Sequence, residues 1–132
     1  MMNPTHNQLA GKRILIVEDE AFQALNYAEM LRSEGAEIVA ISRRADEAID
    51  RVQQNNIDVA VLDFVLEDEN SGRLQTALIA KGIPYVVVSG YPRPLIRTGG
   101  EKEILSKPVT LDRLCSSVAA AASGKADGRS AL

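Results

Sequence analysis

Ile14-Leu15-Ile16-Val17-Glu18-Asp19-Glu20 and Val59-Ala60-Val61-Leu62-Asp63 decide the fold of this chain. In each stretch a short run of apolar residues ends abruptly on carboxylates. Neither run alternates polar with apolar, as a strand with one wet face would. Continuous runs rich in Val, Ile and Leu read instead as strands covered on both faces. Further runs at Ile38–Ile41, Tyr85–Val88 and Ile104–Leu105 complete a set of five candidate strands.

Helical periodicity fills the gaps between them. Phe22, Leu25, Ala28 and Leu31 mark one helix face, with Gly35 as its stop. Ala45, Ala48, Ile49 and Val52 mark a second face. Leu74, Ala77, Leu78 and Lys81 mark a third, closed by Gly82 and Pro84. The last helix takes Thr110 as its cap and carries Leu111, Leu114, Cys115 and Val118. Between the fourth and fifth strands, Pro92, Pro94 and Gly99-Gly100 leave room for about one helical turn, so the fourth helix is expected to be short or deformed. Alternating strands and helices predict an α/β fold, a flavodoxin-like doubly wound five-stranded parallel sheet of order 2-1-3-4-5. The expected domain covers residues 12–122, with flexible ends at 1–11 and 123–132 and no output domain.

Bulk properties narrow the function. A chain of 132 residues, 45% hydrophobic and 25% charged, fits one soluble domain with a single core. A net charge of −3 argues against broad affinity for nucleic acid. No apolar run is long enough to cross a bilayer, and Met1–Ala10 lacks a signal-peptide segment. The lone Cys115 excludes an internal disulfide and fits a reducing, cytoplasmic setting; it reads as a core residue rather than a nucleophile. His6 stands alone in a polar start and is given no role.

Ligands of open α/β sheets bind at the carboxyl ends of the strands. Glu18, Asp19 and Asp63 all fall there, and with the first and third strands adjacent they converge on one edge. Carboxylates packed together repel, and at least one pKa rises unless a cation is present. Mg²⁺ suits such a site, since it prefers oxygen ligands and keeps some water. Ser89 ends the fourth strand and Lys107 follows the fifth, supplying a hydroxyl and an ammonium for phosphoryl oxygens. Asp63 is therefore a candidate nucleophile of the aspartyl-phosphate type. Glu67, Asp68 and Glu69 read as a solvated loop.

With these residues in place, the chain resembles the response-regulator receiver family of two-component systems over Lys12 to Ala122. The matching pieces are Ile-Leu-Ile-Val-Glu18-Asp19-Glu20, Val-Ala-Val-Leu-Asp63, Val-Val-Val-Ser89-Gly90 and Ile-Leu-Ser-Lys107-Pro108. The resemblance implies that Asp63 is the phosphoacceptor and that Glu18 and Asp19 hold Mg²⁺, directly or through water. It further implies that the backbone carbonyl of Val65 is another metal ligand, that Ser89 is the switch hydroxyl, and that Lys107 pairs with the phosphoryl group or the resting Asp63. A cis bond before Pro108 is also implied. The implied phosphodonor is a histidine kinase, with a downstream protein or a phosphotransfer protein as further partner, and no nucleic acid or membrane.

The chain departs from the common pattern at Ile104, where many receivers carry an aromatic switch residue. Its fourth strand, Tyr85-Val-Val-Val-Ser89-Gly90-Tyr91, is similar to that of a subgroup of stand-alone receivers, in which Tyr91 would take the reporter role. The resemblance implies a protein that catalyses only its own phosphorylation and dephosphorylation. Three other readings compete with it. A phosphorylation-independent interaction module would not need the five site residues. An aspartyl phosphatase commonly needs an acid where Val65 stands, and a nucleotide-binding domain needs a glycine-rich loop after the first strand; neither is present.

Overall fold

The computed structural model describes residues 7–63, 71–89 and 103–131. Their elements run β1 (Arg13–Val17), α1 (Ala21–Arg32), β2 (Glu37–Ser42), α2 (Ala45–Gln54), β3 (Val59–Asp63), α3 (Ser71–Ala80), β4 (Tyr85–Ser89), β5 (Glu103–Ser106) and α4 (Leu111–Ala131). The five strands pair in parallel in the order β2-β1-β3-β4-β5, the doubly wound sheet that the sequence predicts. Ile14 to Val17 of β1 lie beside Val59 to Leu62 of β3, so the carboxyl ends of these two strands adjoin.

Strand alternation sorts the side chains into two cores. Ile14, Ile16, Val59, Val61, Val86 and Val88 pack with Tyr27, Ala28 and Leu31 of α1 and with Leu114, Cys115 and Val118 of α4. Leu15, Val17, Ala60, Leu62, Tyr85 and Val87 pack with Ala45, Ala48 and Val52 of α2 and Leu74 and Leu78 of α3. Each fully buried Leu or Ile contributes roughly 2 kcal/mol by leaving water. Truncating Leu31, wholly buried beneath β1, to Ala would cost about 2–5 kcal/mol. In the second core the Tyr85 hydroxyl donates to Gln75 Oε1 at 2.9 Å, tying β4 to α3.

Asp63 and Ser89 are the last residues of β3 and β4, at the strand ends where the sequence puts them. Thr110 caps α4 as expected, its hydroxyl accepting from the Arg113 N–H at 3.2 Å.

Other expectations need correction. The buried stripe of α1 is Ala24, Tyr27, Ala28 and Leu31, whereas Phe22 and Leu25 are 81% and 55% exposed. Positions 24, 27, 28 and 31 keep the i, i+3, i+4, i+7 spacing of one helix face, and 22 and 25 fall on the other.

Part of the N-terminal end is anchored rather than loose: Leu9 is fully buried in the first core, and its N–H donates to the Glu34 carbonyl at 2.9 Å. Gly35 permits this approach. Its φ is +96°, and a Cβ there would stand 3.0 Å from the Ala10 Cα. At the other end, α4 continues to Ala131 through residues expected to be a flexible tail. The run Ala119-Ala120-Ala121-Ala122 favours helix, and no proline follows to stop it. Val65, Tyr91, His6, Glu67, Asp68, Glu69, the expected short fourth helix and the Ile104 side chain lie outside the described residues.

Candidate functional site at the carboxyl edge of the sheet

The site begins where β1 stops. Glu18 extends the parallel pairing by one residue, its N–H donating to the Ser42 carbonyl at 2.9 Å. The chain then turns into α1. Glu20 caps that helix by accepting from the Gln23 N–H at 3.0 Å, and its own N–H donates to Glu18 Oε2 at 3.2 Å. This turn holds Glu18 and Asp19 against the end of β3, where Asp63 stands. One carboxylate oxygen from each of Glu18, Asp19 and Asp63 lies within 4.8 Å of the others.

Glu18 and Asp63 are 1% and 7% exposed, so their mutual repulsion is poorly screened. Burial first, and the Asp63 charge second, push the Glu18 carboxyl from its ordinary 4.5 up to about 7. Lys107 and the Glu20 N–H oppose that rise. Lys107 reaches the cluster from beyond β5. Its Nζ stands 3.3 Å from Asp63 Oδ1 and 3.7 Å from Glu18 Oε1. The Lys107 N–H donates to the Ser89 carbonyl at 2.8 Å, and the Lys107-Pro108 peptide is cis. Ser89 is buried at the end of β4, whose preceding residue Val88 lies beside Asp63.

The structure thus brings Glu18, Asp19, Asp63 and Lys107 together and sets Ser89 on the adjacent strand end. The sequence reading missed two residues near them. Arg43, just past β2, donates from Nη2 to the Asp19 carbonyl at 3.2 Å. Its place after a strand end would have pointed to this edge. Tyr27 is the other; it lies four residues before Leu31, a spacing that puts both on one helix face. Its phenol is buried and held well above its ordinary pKa by burial and by the charges of Glu18, Asp63 and Glu20.

The donor set fits a hard divalent cation. It consists of carboxylate oxygens, and Glu18 Oε1 is buried with no hydrogen bond among the described residues. A phosphate oxygen would complete such a set.

The protein is a doubly wound α/β domain whose acids and lysine meet at the carboxyl edge of the sheet, where ligands of such sheets bind. The chain belongs to the response regulator receiver domain family, whose profile matches residues 14–119. It is 31% identical over 130 residues to the transcriptional regulatory protein PdtaR of Mycobacterium tuberculosis, covering 93% of this chain and 63% of that one. The chain therefore spans less than two thirds of this relative's length. Among solved structures it resembles the response regulator PhyR from Brucella abortus, with a TM-score of 0.80 and 26% identity over 97% of this chain and 54% of that one. A CheY-like receiver domain protein from Methanospirillum hungatei matches in fold, with a TM-score of 0.75 and 22% identity over 89% of this chain and 98% of that one. Among the described residues, no helix is long and apolar enough to cross a membrane.

Proposed function

We propose that this chain is a cytoplasmic phosphoacceptor switch in which Asp63 takes a phosphoryl group from a phosphohistidine donor, in a reaction that needs Mg²⁺. The observation that carries this reading is the Lys107 ammonium set between the Asp63 and Glu18 carboxylates at the ends of three different strands. In the transfer, an Asp63 oxygen forms the new P–O bond while the P–N bond to the donor imidazole breaks and the imidazole leaves. Lys107 neutralises charge gathering on the phosphoryl oxygens and keeps the Asp63 carboxylate aimed at the donor.

Glu18, Asp19 and Asp63 would hold Mg²⁺, with the Val65 carbonyl as a further ligand implied by the family. Bound there, the cation supplies charge neutralisation for the phosphoryl group. Ser89 is the hydroxyl that moves toward the new dianion, and Tyr91 is the residue that reports it. The segment between Ser89 and Lys107, residues 90–100, is where the change would be read by a partner: a downstream protein or a phosphotransfer protein. Exposed Phe22 and Leu25, on the helix that begins just after the acid pair, offer the donor protein apolar surface near Asp63.

Incubation with ³²P-labelled acetyl phosphate, and with a set of autophosphorylated histidine kinases, tests this. Labelling should require Mg²⁺ and vanish in Asp63→Asn. Label retained in Asp63→Asn, or unaffected by EDTA, would overturn the reading.

A further inference from the structure

Two buried polar atoms on one side of the sheet lack hydrogen bonds among the described residues, and they are complementary. One is the Tyr27 hydroxyl, which can donate; the other is Glu18 Oε1, which can only accept when ionised. Tyr27 is 2% exposed and Glu18 is 1% exposed, so bulk water serves neither. Leaving such a group unsatisfied is destabilising, because its lost hydration is not repaid.

The topology puts them in the same layer. Ile14 and Ile16 of β1, and Val59 and Val61 of β3, face the core that contains Tyr27. Alternation carries Asp63 to that face, and also Glu18, which prolongs the pairing of β1 by one residue. Tyr27 lies on the inward stripe of α1, the helix that starts just beyond Glu18. Its phenol feels the Glu18 charge more than any other. Glu18 Oε2 is already engaged by the Glu20 N–H, and Oε1 faces Lys107 only at 3.7 Å, outside hydrogen-bond range. One oxygen is thus fixed and the other lacks a donor.

We propose that the Tyr27 hydroxyl is the donor that orients the Glu18 carboxylate from the core side, across one internal water. This deepens the function proposed above and rests on it. Tyr27 is a positioning residue: it touches neither the phosphoryl group nor the metal, and it acts through Glu18. Burial and the neighbouring carboxylates hold the proton on the Tyr27 hydroxyl. Carboxylate ligands are commonly held by such outer partners, and losing one typically weakens metal binding about 10–100-fold.

The test is Tyr27→Phe, which keeps the ring and its packing and removes only the oxygen. In metal-free protein labelled with ¹³C at the carboxyl carbons, the Glu18 resonance should shift in the variant. That of Asp58, at the opposite end of the sheet and paired with the Arg13 N–H, should not. Mg²⁺ affinity should fall about tenfold, the low end of the range for outer partners. Labelling of Asp63 at saturating Mg²⁺ should persist, and the melting temperature of the metal-free variant should fall slightly, because a buried carboxylate oxygen loses its donor. In the unaltered protein, the ring Cζ resonance of Tyr27 should move when Mg²⁺ is added. An unmoved Glu18 resonance together with unchanged Mg²⁺ affinity would overturn the proposal, as would a Tyr27 resonance blind to Mg²⁺. Absence of Mg²⁺ binding by the unaltered protein would instead sink the wider functional reading, while the metal-free Glu18 resonance still reads the Tyr27 contact on its own.

Discussion

Lys107 reaches past β4 to place its Nζ 3.3 Å from Asp63 Oδ1, so a cation carried beyond β5 neutralises an acid carried by β3. Its side chain is 23% exposed and that of Asp63 is 9% exposed, so the pair is only partly screened. Replacing Lys107 by Met removes the cation and keeps the stem. Glu18 and Asp63 are then left facing each other. The metal-free variant should lose about 1–3 kcal/mol at pH 8, and Mg²⁺ should restore more stability to it than to the parent. Urea melts with and without Mg²⁺ measure both. Equal stability of the two metal-free proteins would show that Lys107 is not what holds the acids together.

Asp19 is half-buried, and its carboxylate is one of the three that meet within 4.8 Å. Asp19→Asn removes one negative charge without changing the shape. Mg²⁺ affinity should fall by at least about tenfold, judged from what even outer partners contribute. The metal-free protein should melt at the same temperature or higher, since repulsion is relieved. Calorimetric titration and thermal melting read the two effects separately. Undiminished Mg²⁺ affinity would remove Asp19 from the ligand set.

The raised Glu18 pKa gives a signed pH dependence. Folded Glu18 holds its proton up to about pH 7, whereas the unfolded group releases it near 4.5. Between those values the folded state binds more protons, so the stability of metal-free protein falls as pH rises through that window and levels off above it. A metal must displace the same proton, so Mg²⁺ affinity should climb over the same range. Denaturant melts in EDTA and titrations at stepped pH would check both slopes. A Glu18→Gln variant should flatten the Glu18 contribution to the stability slope.

Cys115 is buried, its thiol directed at the Met30 carbonyl at 3.5 Å and pushed up to about 11 chiefly by burial. Folded protein at pH 8 should therefore resist iodoacetamide, and the same protein in guanidinium should react at once. Alkylation kinetics followed by mass spectrometry decide it. Rapid labelling of native protein would mean that the core between α1 and α4 opens readily.

The sheet was legible in the sequence because its strands are buried on both faces. Val59-Ala60-Val61-Leu62 and Tyr85-Val86-Val87-Val88 have no other use for such continuous apolarity. The candidate site residues were legible because they stand where those runs break, and polarity at a strand end is a one-dimensional signal. Long-range placement was not. Phe22 and Leu25 are apolar yet face away from the core, which only the packing of α1 on the sheet decides. Leu9 sits in a polar stretch, and its burial depends on the turn at Gly35 that receives it. The Arg43 contact with the Asp19 carbonyl joins residues from two strand ends; the place of Arg43 after β2 points to the edge, but nothing local names that partner.

The alternation that carries Glu18 and Asp63 to the α1–α4 side sets Ser89 on the other, with Tyr85 and Val87 over α2 and α3. Charge and hydroxyl therefore face different halves of the molecule, yet neither depends on one half alone. Val17 and Leu62, the residues just before Glu18 and Asp63, pack over α2 and α3, and Val88, just before Ser89, packs under α1 and α4. A sequence change in either core therefore reaches both the acids and the hydroxyl.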